Sequence, residues 1–201
     1  MDLLRASFDE VKDEIRPGDL FAFGGYDADS RLIQLVGRAP ISHTALAWQT
    51  GPDGPVLMEA VGVGVRRAPI KSRVEGYNGD VWWIPMSEEA RTYLDLPALQ
   101  QFLAEQEGKE FDVTQMLPAA IDLLDGGATK AREDLTRLFC SELVTGGLRA
   151  GGVLNLNPSE TTPRDLVRQG IWAPYYVQLK GRTPRRIPGI GLLKEKKESK
   201  L

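Results

Sequence analysis

The chain contains very few of the residues that form disulfides or bind metals. Its 201 residues include one cysteine and one histidine. A single cysteine excludes an internal disulfide, which is typical of proteins from a reducing compartment. One cysteine and one histidine cannot supply the usual ligand set of a structural zinc site. The composition therefore predicts a protein without a metal ion, and nothing in it indicates a cofactor.

Long apolar segments are missing as well. No apolar run approaches the roughly 20 residues of a membrane span. The N-terminus, MDLLRASFDE, is acidic where an export signal is basic, and it contains no apolar core. These features predict a cytoplasmic location, although they leave export by an unconventional route open.

Two common enzyme motifs are absent. There is no Gly-x-Ser-x-Gly segment, so the sequence gives no support to a serine nucleophile of the α/β-hydrolase type. There is no phosphate-binding glycine loop ending in Gly-Lys-Ser/Thr, so nucleotide hydrolysis is unsupported. The pair Gly62 and Gly64 is interpreted as a turn and not as a dinucleotide fingerprint.

Charge is distributed unevenly along the chain. The formal net charge is -3, but residues 180–201 contain eight Lys or Arg and two Glu. We predict one globular domain over residues 1–180 and a basic tail over residues 181–201. The tail is interpreted as a solvated, frayed terminus, and an acidic surface is the alternative partner. We expect no specific nucleic acid, and the oligomeric state is left open.

Hydrophobic periodicity predicts an α+β fold. Apolar residues at helical spacing predict helices over residues 3–15, 87–107 (divided at Pro97), 113–124 and 162–168, and one beginning near Cys140. Residues 27–38 allow one or two helical turns. Short apolar runs bounded by Gly and Pro predict strands over residues 20–23, 42–49, 56–61, 65–70, 81–85 and 172–179. The short turns between residues 42 and 70 indicate a meander of antiparallel strands.

The single cysteine, Cys140, is the first candidate for chemistry. It precedes Leu143, Val144 and Leu148, whose spacing predicts a buried helix. A thiol at a helix N-terminus lies beside partial positive charge, which favours the reactive thiolate. The alternative interpretation is a small buried hydrophobic side chain, which is how most lone cysteines behave.

The single histidine lies on a predicted strand next to a strand that carries a carboxylate. A period of two places His43 on one face with Ala45 and Ala47, small residues that leave room for a packed helix. Glu59 lies amid apolar neighbours in the following strand, where a carboxylate must be paired. If the strands pair, His43 and Glu59 share a face against which the helix of Cys140 can pack. The three residues would then be nucleophile, base and orienting group for acyl transfer.

Each strand residue also has a structural interpretation. His43 alone is compatible with a hydrogen-bonded histidine of the core or the surface. Glu59 alone is compatible with an ion pair to Arg66 or Arg67, which lie nearby in the sequence.

Several of these segments resemble one enzyme superfamily. Pro17–Phe23, Ser42–Leu46 and Met58–Ala60 resemble the first strand and the histidine strand of the NlpC/P60 papain-like enzymes. In the common members the cysteine helix precedes those strands, whereas Phe139–Val144 follows them here. That order is similar to the circularly permuted branch, the YiiX/YebB-like proteins, which have the lecithin–retinol acyltransferase type as relatives. Gly108–Asp112 also resembles an element upstream of that branch's cysteine.

The resemblance implies a fold and a set of site residues. The fold is a papain-like core in circularly permuted order, with an antiparallel sheet packed against the cysteine-bearing helix. Residue by residue, the nucleophile falls on Cys140, the base on His43 and the third polar residue on Glu59. The backbone N–H of Cys140 would help to stabilise the oxyanion. Ser42, next to the histidine, is predicted to contact the substrate.

We therefore predict a cysteine hydrolase that cleaves an amide bond, in a cell-wall-type peptide or another small peptide. One alternative keeps the site and changes the substrate, giving a lipid or acyl-ester hydrolase or an acyltransferase. The other alternative is a binding or structural module of papain-like shape without turnover. A thiol that resists thiol-reactive probes at neutral pH would favour the last alternative.

Overall fold

The computed structural model describes residues 1–51, 54–62, 64–109 and 140–192, which form an α+β fold around one seven-stranded sheet. The strands are β1 (Asp2–Arg5), β2 (Leu20–Gly25), β3 (His43–Gly51), β4 (Gly54–Val61), β5 (Gly64–Pro69), β6 (Gly79–Ile84) and β7 (Tyr175–Lys180). The helices are α1 (Phe8–Val11), α2 (Ala28–Gly37), α3 (Ile70–Gly76), α4 (Glu88–Arg91), α5 (Leu96–Gln106), α6 (140–150) and α7 (Pro163–Arg168). The predicted helix over residues 113–124 lies outside the described residues.

The sheet is mixed, so the prediction of a purely antiparallel sheet is wrong in one place. The strand order is β1-β7-β6-β2-β3-β4-β5, and β1 pairs with β7 in parallel while the other neighbours are antiparallel. The segment that forms β1 was predicted as the start of a helix over residues 3–15. Short apolar runs fit either period, and pairing with a distant strand decides the outcome here. Only Phe8–Val11 of that segment is helical.

The predicted meander is confirmed as β3, β4 and β5. Leu46 lies opposite Met58 in the β3–β4 pair, and Glu59 lies opposite Arg66 in the β4–β5 pair. Gly54, at the start of β4, has a φ of 105°, a left-handed conformation that glycine adopts without a steric penalty. The register places alternate residues of each strand on opposite faces of the sheet.

The two faces of the sheet carry two separate apolar cores. One core contains large residues of β3 and β4, including Leu46, Trp48 and Met58, and it also contains buried residues of α5 and α6. The other core contains Ala45, Ala47 and Leu57 together with residues of α1 and α3.

The helix of Cys140 packs on the face opposite to the expected one. Its buried residues Cys140, Leu143, Val144 and Leu148 share a core with Leu46. A side chain added at Gly147 would come within about 3.3 Å of Leu46, which shows how closely α6 approaches β3. The expectation that α6 covers the alanines is therefore wrong. Large apolar side chains offer more surface to bury than alanines do, and α6 covers that larger surface. Where α6 begins lies outside the described residues.

The loop before β2 is held by one buried carboxylate. Asp19 accepts hydrogen bonds from the backbone N–H of Arg16 (2.9 Å), the backbone N–H of Met86 (2.8 Å) and the indole N–H of Trp83 (2.9 Å). It also pairs with the Arg91 guanidinium. The Pro-Gly-Asp-Leu segment thus ties β2 to β6 and α4, which is a structural role.

The first part of the predicted tail is packed and not frayed. Ile187 and Ile190 are buried in the core that contains α6. Arg185 pairs with the buried Asp80 of β6 at 3.0 Å. Apolar burial and an ion pair therefore hold residues 181–192 on the domain, while residues 193–201 lie outside the described residues. The division into a domain and a tail stays a prediction.

Within the described ranges, the structure contains no helix with both the length and the apolar character needed to cross a bilayer. The cytoplasmic location stays a prediction.

Candidate active site

The structure brings the side chains of His43 and Glu59 into contact. His43 is the first residue of β3, and Glu59 lies near the end of the antiparallel neighbour β4. The ring atom Nε2 of His43 lies 3.2 Å from Oε2 of Glu59. The Glu59 side chain is fully buried, so this contact is shielded from solvent. The predicted pairing of the two strands therefore places the two side chains as expected.

Cys140 joins this pair from α6. The Cys140 thiol interacts with the His43 ring, and the interaction raises the pKa of the imidazole and lowers that of the thiol. Because His43 is at the first position of β3, its ring lies at the end of the strand and reaches the sulfur, although Ala45 and Ala47 do not face α6. The three residues that the sequence selected from distant segments thus form one continuous chain of contacts. Their catalytic roles stay predictions.

Thr44 is a fourth contributor that the sequence analysis missed. Its hydroxyl lies 3.8 Å from Sγ of Cys140. Thr44 alternates with His43 along β3, so it faces α6 with Leu46. The alternation of side chains along β3 places Thr44 opposite to His43. This predicts a contact with Cys140 only when it is known which face of the sheet α6 covers.

Two arginines hold the carboxylate of Glu59. Arg66 binds Oε1 through Nε at 3.0 Å and through a terminal nitrogen at 2.8 Å. Arg73 of α3 uses Nε to bind both oxygens, at 3.1 and 2.9 Å. The alternative pairing with Arg66 is therefore present together with the histidine contact. Arg67 instead pairs with Glu107 and lies over the Trp48 ring.

Aromatic rings pack around the charged groups on one side. Phe23 lies 5.3 Å from the His43 ring and 5.0 Å from the Tyr77 ring, measured between ring centroids. The Arg73 guanidinium lies 5.0 Å from the Phe23 centroid and 5.1 Å from that of Tyr77. Arg73 was missed because α3 was not predicted.

Charge pairing outweighs burial in setting the pKa of each group. Burial disfavours an imidazolium, but hydrogen bonds to Cys140 and Glu59 and the attraction of their charges raise the pKa of His43 to about 9. Burial also opposes a carboxylate, but His43 and Arg73 lower the pKa of Glu59 to about 2. The pKa of Cys140 lies below its ordinary value because hydrogen bonds from His43 and Thr44 outweigh burial. At neutral pH these values correspond to an imidazolium at His43 and a carboxylate at Glu59, and the pKa of Cys140 is shifted in the direction of the thiolate.

This arrangement provides both a nucleophile and a proton donor. A thiolate is the reactive form of cysteine, and an imidazolium beside it is a proton donor. The thiol is fully buried, and only 9% of His43 is exposed. The sulfur is therefore shielded from solvent in this structure.

Ser42 lies next to the site but uses its hydroxyl within the fold. The hydroxyl accepts a hydrogen bond from the backbone N–H of Gly25 (3.2 Å) and donates one to the carbonyl of Phe23 (3.3 Å). Ser42 thus fixes the approach of β3 to β2, and its contact with substrate stays a prediction.

The described segments bring together no group of three or more His, Cys, Asp or Glu side chains able to hold a metal ion.

Comparison with known proteins gives matches among solved structures and no family. No family model matches the sequence, and no curated protein matches it. Among solved structures, the chain is similar to the metalloprotein YiiX from Escherichia coli O157:H7, with 20% sequence identity and a TM-score of 0.46. The match covers 68% of this chain and 66% of that chain, so it spans slightly less than two thirds of the YiiX length. The predicted permuted NlpC/P60 assignment is not decided by this likeness.

Proposed function

We propose that the chain is a cysteine hydrolase of amide bonds, with Cys140 as nucleophile, His43 as general acid and base, and Glu59 as the orienting group. The observation that carries the proposal is the position of the His43 ring between a thiol and a buried carboxylate. A cysteine that serves only as a buried apolar residue needs no charged partner, whereas an activated thiol needs an adjacent base. The lowered pKa of Cys140 and the raised pKa of His43 support the same assignment.

The proposed reaction starts from the thiolate and the imidazolium. The sulfur of Cys140 forms a bond to the substrate carbonyl carbon, and the carbonyl electrons move to oxygen. His43 then donates its proton to the leaving nitrogen, the carbon–nitrogen bond breaks, and a thioester remains. Water attacks the thioester while His43 accepts a proton, and the carbon–sulfur bond breaks to release the acid. Because Nε2 of His43 faces Glu59, Nδ1 is the ring nitrogen left to serve the sulfur.

The fold proposed for this activity is a papain-like core in circularly permuted order. Its support is the order of elements along the chain: the histidine strand β3, the carboxylate strand β4 and then the cysteine helix α6. The sheet packed against α6 supports it as well. Peptides of cell-wall type or other small peptides are the proposed substrates.

Labelling of the single cysteine tests the nucleophile directly. Because Cys140 is the only cysteine, uptake of iodoacetamide by the native protein reports on that residue alone. We expect labelling well below the ordinary thiol pKa of about 8.5, and we expect a His43→Gln variant to require a higher pH. The exposed Arg149→Gln variant is the control and should label like the native protein. Labelling only after denaturation would contradict the proposal, because a nucleophile must become accessible in the folded protein.

Turnover tests the reaction class. We expect cleavage within a panel of peptide amides, and its complete loss in Cys140→Ala and Cys140→Ser variants whose circular dichroism matches the native protein. Turnover of acyl esters but not of amides would favour the acyl-ester alternative over an amide hydrolase. Retained amide turnover in Cys140→Ala would end the proposal.

A further inference from the structure

A cavity lined by arginines lies outside the candidate active site. It is a cleft broadly open to solvent, with a volume of about 480 Å³. Four of its lining side chains are Arg31, Arg38, Arg185 and Arg186, and none of the lining residues that the structure describes is acidic. We infer that this cavity binds a small phosphate ester, with the arginines holding the phosphate.

Hydrogen bonds hold the side chain of one arginine of the cavity, and the other three have no such partner among the described residues. Arg185 donates to Asp80 at 3.0 Å and to the side-chain oxygen of Gln34 at 3.1 Å. The side chains of Arg31, Arg38 and Arg186 make no hydrogen bond or ion pair with the part of the chain that the structure describes. Asp80 carries one negative charge and pairs with Arg185, so it does not also balance the other arginines.

Within the described part of the chain, little negative charge offsets these arginines. Arg38 follows the last turn of α2, where the helix dipole supplies about half an elementary negative charge. That is small beside the three lining guanidinium groups that remain once Arg185 is paired with Asp80. Like charges held together repel, and an anion with more than one negative charge relieves the repulsion. Guanidinium groups bind phosphate through paired hydrogen bonds. A phosphate dianion also offsets more of the excess positive charge than a single carboxylate does.

The rest of the lining indicates an organic group on the phosphate. Leu35, Ala39, Pro40 and Pro188 also line the cavity. Leu35 is 75% exposed, although it is a large apolar residue. The cavity is larger than inorganic phosphate requires, and its apolar side chains offer contact to a carbon-containing part of the ligand. A phosphate monoester with an apolar substituent satisfies both parts of the lining.

The cavity and the candidate active site share one short segment. Pro40 lies three residues before His43, and three residues span at most about 10 Å. A ligand in the cavity therefore lies near the start of β3. The inference does not depend on the proposed hydrolase activity, since binding is measured without turnover.

Calorimetric titration of the full chain with phenyl phosphate and with inorganic phosphate tests the inference. We expect phenyl phosphate to bind more tightly than inorganic phosphate, because only the ester reaches the apolar lining. Arg31→Gln and Arg186→Gln should each weaken phenyl phosphate binding about tenfold, the loss expected when one charge-assisted contact is removed. Arg149→Gln removes the same charge from an exposed site on α6 that does not line the cavity, and it should bind like the native protein.

Three outcomes would overturn the inference. The first is no heat of binding with either probe. The second is an equal loss of affinity in Arg31→Gln, Arg186→Gln and Arg149→Gln, which would indicate general charge attraction. The third is sedimentation of the protein with vesicles of phosphatidylcholine and phosphatidic acid when phenyl phosphate does not bind, which would indicate a lipid surface as the partner.

Discussion

At the scale of single residues, the site is a chain of alternating charges. Cys140 and Glu59 are fully buried, and each is in contact with His43, which is positively charged when protonated. An isolated buried charge is strongly unfavourable, so each group depends on its neighbour. Arg66 and Arg73 extend the chain to the surface. The network is therefore expected to lose stability when an inner member is removed.

The two arginines are predicted to differ in what they contribute. Arg73 is 20% exposed and binds both oxygens of Glu59, whereas Arg66 is 58% exposed and binds one. We expect Arg73→Gln to lower the free energy of unfolding by about 1–3 kcal/mol, because it leaves a buried charge poorly satisfied. Arg66→Gln should cost less than about 1 kcal/mol, because water replaces an exposed partner. Urea unfolding of both variants measures the difference, and an equal or larger loss for Arg66→Gln would contradict it.

The sequence predicted the residues of the site better than their surroundings. The alternation of side chains along β3 and β4 was sufficient to predict that His43 and Glu59 meet, because the two strands form one hairpin. Thr44 and Arg73 were missed for another reason. Their roles depend on which helix covers which face of the sheet, and that is decided by long-range packing that no local pattern contains.

At the scale of elements, close backbone contacts fix the strand that begins with His43. A side chain at Gly24 of β2 would collide with the backbone oxygen of Pro40 and come within 3.2 Å of the Trp82 ring. Pro40 leads into β3, so Gly24 allows β2 and the approach to the site to lie together. Backbone atoms cannot move aside as a flexible side chain can.

Two glycine substitutions test this close approach. Gly24→Ala should lower the free energy of unfolding by about 1–3 kcal/mol, the usual cost of overpacking. Gly76→Ala, at the end of α3, meets nothing within 4 Å and is the matched control. Since alanine favours helix over glycine by about 0.5–1 kcal/mol, Gly76→Ala should be neutral or stabilising. Thermal unfolding compares the two variants. A Gly24→Ala variant as stable as the native protein would contradict the prediction and show that the strand has room to shift.

Local patterns predicted most elements and failed where pairing is remote. The meander β3–β5, the division at Pro97 and the capped helix α7 follow from short-range signals such as Pro and Thr162 at helix starts. The first strand did not, because Asp2–Arg5 is a strand only through its pairing with Tyr175–Gln178. That pairing joins two segments from nearly opposite ends of the chain.

At the scale of the whole molecule, the two ends of the described chain are bound to the same sheet. β1 occupies the edge next to β7, and the segment after β7 returns over the core. Ile187 is 3% exposed in that core, and its backbone N–H donates to the Tyr176 hydroxyl at 3.0 Å. The basic composition of residues 180–201 indicated a solvated tail. Composition averaged over the segment did not reveal that two isoleucines within it are anchors.

Substitutions in the C-terminal segment test whether it belongs to the core. Ile187→Ala should lower the free energy of unfolding by about 2–5 kcal/mol, the cost of removing a buried aliphatic side chain. Leu192→Ala is the control, since Leu192 is 68% exposed, and its effect should stay within about 0.5 kcal/mol. Equal, small effects for both variants in urea unfolding would mean that residues 181–192 are not part of the cooperative unit.

The central claim is that Cys140, His43 and Glu59 share protons as one coupled group. Because His43 is the only histidine, proton NMR of the native protein shows its ring without ambiguity. We predict a midpoint near 9 for its titration, since the native state holds the imidazolium proton through Cys140 and Glu59. In Cys140→Ala the midpoint should fall toward the ordinary value of about 6.5, because the negative sulfur is gone. A midpoint near 6.5 in the native protein, unchanged in Cys140→Ala, would contradict the claim.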